Sequence, residues 1–138
     1  MRSLHSWAFS VCCVLILCGC GNPEPKSQTL TGSVILGGKP LEKGSINFIP
    51  KDGKAVTVGA KIVDGSYKAL VPFGDMRVEI RAPKVTGQRS TYEGDPNSPK
   101  VDIVTELIPD RYNTNSELSF TVDAKSNSAD FALELSAE

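Results

Sequence analysis

Short runs of alternating apolar and polar residues dominate the chain from Thr29 onwards. A period of two is the pattern of a strand with one buried and one solvated face. We therefore predict about seven strands, separated by turns rich in Gly and Pro. Their apolar residues are Leu30, Val34 and Leu36; Ile46 and Phe48; Val56, Val58, Ala60 and Ile62; Tyr67, Ala69 and Val71; Met76, Val78, Ile80 and Ala82; Leu118, Phe120 and Val122; and Phe131, Leu133 and Leu135.

The turns between these runs favour antiparallel pairing of neighbouring strands. Asp64-Gly65 is typical of a two-residue hairpin, in which both central residues need positive φ. Pro72 to Gly74 predicts another turn, and no segment shows a helical period longer than a turn. The pattern predicts an all-β fold with a single antiparallel β-sandwich over residues 29–138. A small closed barrel is the alternative.

The stretch from Pro83 to Glu117 interrupts this regularity. It is long for a connection inside a compact sandwich, and long connections are usually functional or disordered. Its first half is polar, whereas its second half carries several apolar residues. Pro109 stands where a short helical turn can begin, directly before Asp110, Arg111 and Tyr112.

The beginning of the chain differs from the rest. Arg2 and His5 precede a mostly apolar run from Trp7 to Leu17, and the small residue Gly19 follows before Cys20. A basic start, a short apolar core and a small-residue exit predict a secretory signal peptide. A permanent membrane-spanning helix needs roughly 20 apolar residues, more than this run contains.

All four cysteines of the chain lie between Cys12 and Cys20. Leu17 to Cys20 (LCGC) resembles a bacterial lipobox, whose cysteine is diacylated and becomes the mature N-terminus. Cys18 is less usual than Ala or Ser at its lipobox position, but its side chain is small enough for that position. The alternative is an ordinary signal peptide cut elsewhere. A zinc site is not expected, because all the cysteines except Cys20 would leave with the leader.

We therefore predict an exported protein that is lipid-anchored to the bacterial cell envelope through Cys20. Gly21, rather than Asp, follows the cysteine, which by the usual sorting rule indicates the outer membrane. The chain then divides into a signal peptide (1–19), a polar tether with two prolines (20–28) and the β-domain (29–138).

Removal of the leader restricts the possible chemistry. His5 and Trp7 are the only histidine and tryptophan, so neither remains in the mature chain. The mature chain then cannot use Ser-His-Asp or Cys-His catalysis, and it cannot form disulfides or Cys/His zinc sites. No nucleotide-binding glycine motif occurs in the sequence. The net charge of −1 gives no electrostatic reason to expect nucleic acid. We predict no catalytic residue, no cofactor and no metal.

Five turn and strand motifs follow one another along the predicted domain. They are Gly-x-Val at 32–34, Gly-Lys-Pro-Leu at 38–41, Phe-x-Pro at 48–50, Asp-Gly-x-Tyr at 64–67 and Pro-x-Gly at 72–74. Their order resembles that of the carboxypeptidase regulatory-like, or transthyretin-like, domain. The segment 106–135 is similar to the end of small bacterial lipoproteins that carry this domain. The resemblance covers about residues 31–135 and implies a transthyretin-like β-sandwich.

The enzymatic branch of this family, the hydroxyisourate hydrolases, relies on histidines and a characteristic C-terminal tetrapeptide. The mature chain would lack histidine, and the sequence ends in Leu-Glu-Leu-Ser-Ala-Glu. The resemblance therefore does not imply that activity.

Arg111 and Tyr112 are the candidate binding residues, because Arg and Tyr are enriched at binding hot spots. The alternative role for Tyr112 is a plug that covers the sheet edge and hydrogen-bonds through its hydroxyl, and we favour the plug. A calcium site is a weaker alternative, because the spacing of the loop oxygen donors does not match an EF-hand and such residues usually make turns. Those donors are Asp95, Asn97, Asp102, Asp110 and Asn113.

Three functions fit the sequence. The leading hypothesis is a non-catalytic envelope protein with an interaction or structural role, whose partner is an unidentified envelope protein or glycan. The second is a carbohydrate-binding module that uses Tyr67, Tyr92 and Tyr112. The third is a carboxylate-based hydrolase, which needs two carboxyl groups about 5–10 Å apart in a cleft.

Overall fold

The computed structural model describes residues 26–135, which form an all-β fold. The leader, Cys20 and most of the predicted tether lie outside the described residues. The strands are β1 (Ser27–Leu36), β2 (Lys39–Pro40), β3 (Lys43–Pro50), β4 (Val58–Val63), β5 (Ser66–Pro72), β6 (Gly74–Arg81), β7 (Pro83–Ser90), β8 (Lys100–Glu106), β9 (Ser119–Val122) and β10 (Phe131–Leu133). One 3-10 turn, Asp110–Tyr112, begins directly after Pro109, as the sequence predicts.

Seven of these strands correspond to the predicted runs, and β2, β7 and β8 are additional. The main sheet has the order β10-β1-β5-β4-β3-β6-β9, with β2 paired to β1. Its pairs are antiparallel, except that β10 runs parallel to β1. The chain thus returns at its end to the strand with which the described part begins.

The hairpin between β4 and β5 is confirmed at Asp64-Gly65, whose φ angles are 48° and 76°. A side chain on Gly65 would place its Cβ only 2.7 Å from the Cβ of Pro40. β4 and β5 form a single residue pair, Val63 with Ser66. The sheet therefore divides at this turn into one arm that contains β1, β5 and β10 and another that contains β3, β4, β6 and β9.

The two arms enclose the hydrophobic core. The rings of Phe48 in β3 and Tyr67 in β5 lie 5.9 Å apart, and Tyr67 also contacts Phe131. Burial alternates along β3, β5 and β6, as the predicted period of two requires. The core therefore consists mainly of the apolar residues selected from the sequence pattern.

Two predicted core residues lie outside the core. Val56 precedes β4 and is exposed, and Leu135 follows β10 and is exposed as well. Phe120 packs against the core but is only half-buried, because β9 is the edge strand and its ring has a neighbouring strand on one side only. The other predicted residues that are half-buried against the core are Leu36, Val58, Ala60 and Leu118.

The prediction of an irregular connection over 83–117 is wrong for its first two thirds. β7 and β8 form an antiparallel hairpin over Pro83–Glu106, with a register shift between Val85 and Gly87. Within 83–117, the hairpin tip (91–99) and the segment 107–117 lie outside the strands, and the second of these includes the 3-10 turn. The hairpin forms its own two-stranded sheet.

The segment before β10 is held against β1. The Tyr67 hydroxyl donates to the Ala129 carbonyl at 2.6 Å, and the Ala129 N–H donates to the Thr31 carbonyl at 3.0 Å. Gly32 permits this close approach, because a Cβ there would lie 1.9 Å from the Ala129 oxygen. Substitution of Gly32 by any larger residue would force these two segments apart.

Candidate functional site

The β7–β8 hairpin, residues 83–106, lies outside the hydrophobic core. No buried core residue of the described chain comes from this range, and every residue of β8 is exposed. Four apolar side chains nevertheless lie on it, with exposed fractions between 42% and 57%: Val85, Val101, Ile103 and Val104. Exposed apolar residues grouped on one element are typical of an interaction surface.

Hydrogen bonds between the two flanking segments close the root of the hairpin. The Leu107 N–H donates to the Ala82 carbonyl at 3.2 Å. The Glu106 carboxylate accepts from the N–H groups of Ala82 (2.7 Å) and Ile108 (3.1 Å) through the same oxygen, Oε1. Charge-assisted bonds of this kind are about twice as strong as neutral ones. Glu106 therefore holds the two ends of the hairpin together.

The tip of the hairpin is a closed turn. The Thr91 N–H donates to the Pro99 carbonyl at 2.9 Å, and the Tyr92 N–H donates to Ser98 Oγ at 2.8 Å. Asp95 accepts from the Asn97 N–H at 2.8 Å. These bonds order the tip and leave the Tyr92 ring exposed.

A groove of about 590 Å³ lies between the root of the hairpin and the β1–β3 connection. Its lining combines apolar residues from both sides with charged groups. They include Leu36, Leu41, Leu107, Glu42, Lys43 and Lys84. The groove and the hairpin together form the candidate binding surface.

Arg111 and Tyr112 lie on the 3-10 turn and do not line this groove. Tyr112 is half-buried against the core, and its hydroxyl oxygen accepts from the Glu134 N–H at 3.3 Å. Arg111 donates to the Glu134 carbonyl at 3.0 Å, and its guanidinium carbon lies 4.8 Å from the centre of the Tyr112 ring. Both side chains therefore contact the segment after β10.

The neighbouring Asn113 is buried and donates through its side-chain amide to the Ile108 carbonyl at 2.7 Å. Ser116, also buried, donates to the Val78 carbonyl. The segment from Ile108 to Ser116 thus forms a strap that is bonded both to itself and to β6.

Among residues 26–135, two carboxylates have shifted pKa values, and both shifts are downward. A hydrogen bond from the Ser33 hydroxyl, followed by one from the Ser33 N–H, lowers the pKa of Asp130. Hydrogen bonds from the Lys125 N–H and the Ser126 hydroxyl lower the pKa of Asp123. A general acid requires a raised pKa, so neither group has the property of one. Burial, reinforced by the charge of Asp130, raises the pKa of the Tyr67 hydroxyl.

Within residues 26–135, no three His, Cys, Asp or Glu side chains are grouped as metal ligands. Three of the loop donors considered for calcium use their side-chain oxygens in local bonds. Asp102 accepts from the Gln88 amide at 2.8 Å, Asp95 accepts from the Asn97 N–H, and Asn113 Oδ1 accepts from the Thr114 N–H. No helix in the same part of the chain is long and apolar enough to cross a membrane.

Sequence reasoning found the apolar residues of this surface but not their arrangement. The alternation of Val101, Ile103 and Thr105 is a strand signal. It was obscured by Val104 and by the polar partner strand, in which only Val85 is a large apolar residue. The groove depends on a contact between distant segments and leaves no local signal.

No protein-family model matches the chain, and no curated protein sequence matches it. Among solved structures it is similar to a D312A variant of the major pilin subunit of Bacillus cereus, with a TM-score of 0.45 and 11% identity over 82% of this chain. A 9R-lipoxygenase from Cyanothece PCC8801 has a TM-score of 0.33 and 16% identity over 79%. The chain spans 31% of the pilin chain and 16% of the lipoxygenase chain. At these values the similarity carries no inference about function.

Proposed function

We propose that this protein is a non-catalytic interaction protein of the bacterial cell envelope, exported and anchored by a lipid on Cys20. The observation that carries the interaction role is the β7–β8 hairpin, which exposes four apolar side chains outside the core. Such residues contribute nothing to the core, so their exposure is best explained by a partner.

The proposed scaffold is a transthyretin-like β-sandwich. The two arms of the main sheet are joined by one residue pair at Val63 and Ser66, and aromatic rings from both arms meet between them. Two facing layers with side chains packed between them are the arrangement of a sandwich. The motif resemblance to the carboxypeptidase regulatory-like domain supports the same assignment.

The proposed anchor would keep the domain near the membrane. β1 begins at Ser27, seven residues after Cys20. Even fully extended, these residues span at most about 25 Å. Gly21 supports the outer membrane as the destination. The hairpin root lies near Leu36, at the end of β1 opposite Ser27, so an anchored domain would present its hairpin on the side away from the tether.

Fractionation of a bacterial host that expresses the full chain tests the anchor. Cys20→Ser removes the thiol needed for lipidation and should move the protein to the soluble fraction. Each buried acyl methylene contributes about 0.8 kcal/mol to membrane binding, so loss of the chains should abolish it. Cys18→Ser is the matched control, because it retains Cys20 and should stay membrane-bound. A Cys20→Ser protein that remains in the membrane would contradict the proposal.

Cross-linking in intact envelopes, followed by identification of the captured proteins, tests the interaction role. Val104→Asp places a charge on the hairpin, whereas Val63→Asp places one at a similarly exposed position on the main sheet; the exposed fractions are 57% and 56%. Capture should survive Val63→Asp and fail with Val104→Asp. Equal capture by both variants would remove the hairpin from the proposal.

The glycan-binding and hydrolase hypotheses receive less support. Tyr67 is buried, and the Arg111 guanidinium lies over the ring of Tyr112, so of the three tyrosines only Tyr92 offers an open ring face. The carboxylates with shifted pKa values are both stabilised in their charged form. These observations favour a binding role for the hairpin over either alternative.

A further inference from the structure

The hairpin has two outer edges, and the described residues pair neither of them. Unpaired edges invite association with another strand, and proteins protect them with proline, bulges and charge. β7 has all three: Pro83 at its start, the register shift after Val85, and the charged residues Lys84 and Arg89. The outer edge of β7 is therefore protected.

The centre of β8, Val101 to Thr105, contains no proline and no bulge, and its single charge is that of Asp102. The directions of its backbone groups follow from the bonds at the two ends of the hairpin. The Leu107 N–H bonds to the Ala82 carbonyl and the Pro99 carbonyl accepts from Thr91. Because N–H and C=O directions alternate along an antiparallel strand, odd-numbered residues of β8 face β7. Asp102 and Val104 therefore direct their backbone groups to the open edge.

We propose that a second copy of this chain pairs with this edge, β8 against β8 in antiparallel orientation, centred on Ile103. Two hairpins would then form one four-stranded sheet. In this register Asp102 lies opposite Val104 of the second copy, and the outward backbone groups of both residues are satisfied. The inference rests on the proposed interaction role and names the partner of that surface.

Charge selects the register. With Ile103 at the centre, Lys100 lies opposite Glu106 of the second copy, and by symmetry this pair occurs twice. Lys100 and Glu106 are both exposed, and Glu106 Oε2 has no partner among the described residues, because the two backbone bonds at the hairpin root go to Oε1. Opposite charges on facing strands stabilise pairing, and like charges destabilise it.

The neighbouring registers are unfavourable for the same reason. Pairing centred on Asp102 places the two Asp102 carboxylates opposite each other. Pairing centred on Val104 places Asp102 opposite Glu106 of the second copy. Of the registers centred on Asp102, Ile103 and Val104, only the one centred on Ile103 avoids like charges, and it also joins the exposed side chains of Ile103 and Val101 from both copies into one apolar stripe.

Cysteine cross-linking of the full chain in intact cells tests this register. In this register the Cα atoms of residue 103 in the two copies lie directly opposite each other, within the 4.4–6.8 Å separation that a disulfide requires. The two thiols of an Ile103→Cys variant can therefore bond to each other. Diamide, which takes up two hydrogens as the disulfide forms, should convert most of this variant to a covalent dimer. Val101→Cys is the matched control, because the exposed fractions are 42% at Val101 and 43% at Ile103. Its thiols would lie about 14 Å apart in this register.

The unsubstituted chain gives the background from the native cysteines. Val101→Cys should not exceed it, whereas a Val101→Cys and Thr105→Cys double variant should form the dimer again. Absence of cross-linking at Ile103, or equal cross-linking at Val101, would overturn the proposal. Neither result would bear on the lipid anchor or on capture of a different protein by the hairpin, so the two proposals fail separately.

Light scattering of the purified full chain over a concentration series gives a second test. Ile103→Lys places two like charges at the centre of the pairing and should weaken self-association at least tenfold. Val63→Lys, on the main sheet and 56% exposed, should change it less than twofold. Both residues are exposed, so folding should be unaffected. Unchanged self-association of Ile103→Lys would contradict β8 pairing.

Discussion

Phe48 and Phe120 show how the position of a strand decides what the same side chain contributes. Phe48 lies on β3 with strands on both sides and is fully buried, whereas Phe120 lies on the edge strand β9 and is half-buried. Phe48→Ala should therefore lower the free energy of unfolding by about 3–5 kcal/mol. Phe120→Ala should lower it by roughly half as much, because less apolar area is lost. Urea denaturation measures both, and equal losses would contradict these strand faces.

Asp130 links β1 to the segment before β10 through its bonds from Ser33, at 2.7 Å from the N–H and 2.8 Å from the hydroxyl. These bonds lower the pKa of Asp130 in the folded state. Its contribution to stability is therefore present above the unfolded pKa of about 3.9 and is lost as the pH falls through the folded value. Asp130→Asn should lower the melting temperature at pH 7, and the difference should shrink below pH 4. A difference that is constant with pH would exclude this linkage.

At the scale of elements, strands were predictable where one face is buried and the other is solvated. The alternation of Met76, Val78 and Ile80 records the burial of β6 directly. The β7–β8 hairpin was not predictable in this way, because both of its faces are solvated. Its residues therefore carry no consistent inside-outside pattern, and the polarity of β7 made the segment look irregular.

The 3-10 turn was predictable from Pro109, because proline fixes φ near −65° and suits the start of a helical turn. Its contacts with the segment after β10 were not, since they join residues more than twenty positions apart in sequence. The candidate pair Arg111 and Tyr112 was therefore identified without its partner, Glu134.

Substitutions in this turn separate a structural from a binding role. Tyr112→Ala removes a half-buried ring and should lower the free energy of unfolding by about 2 kcal/mol. Arg111→Ala should change it by about 0.5 kcal/mol, as is usual for exposed positions. Tyr112→Phe is the control for the hydroxyl, whose bond to the Glu134 N–H is long at 3.3 Å. Thermal melts without ligand measure all three. A Tyr112→Ala protein as stable as the wild type would indicate a binding site instead of a plug.

At the scale of the whole molecule, the sequence pattern predicts the all-β class but not the strand order. Alternation shows which residues face a core, whereas pairing of β1 with β10 depends on contacts between Val34 and Phe131, almost a hundred positions apart. Local signals do not contain such contacts. The division between main sheet and hairpin is a second global property, and it can be tested directly.

Excision of the hairpin should leave the main sheet folded. Replacement of residues 85–104 by Asn-Gly makes Lys84 and Thr105, which already pair, the closing residues of a tight two-residue turn. The bonds of Glu106 and Leu107 at the root are retained, and no core residue is removed. The free energy of unfolding should therefore change by about 1 kcal/mol or less. Urea denaturation followed by far-ultraviolet circular dichroism measures this change. A loss of several kcal/mol would show that the hairpin stabilises the core, and its exposed apolar residues would then need another explanation than a partner.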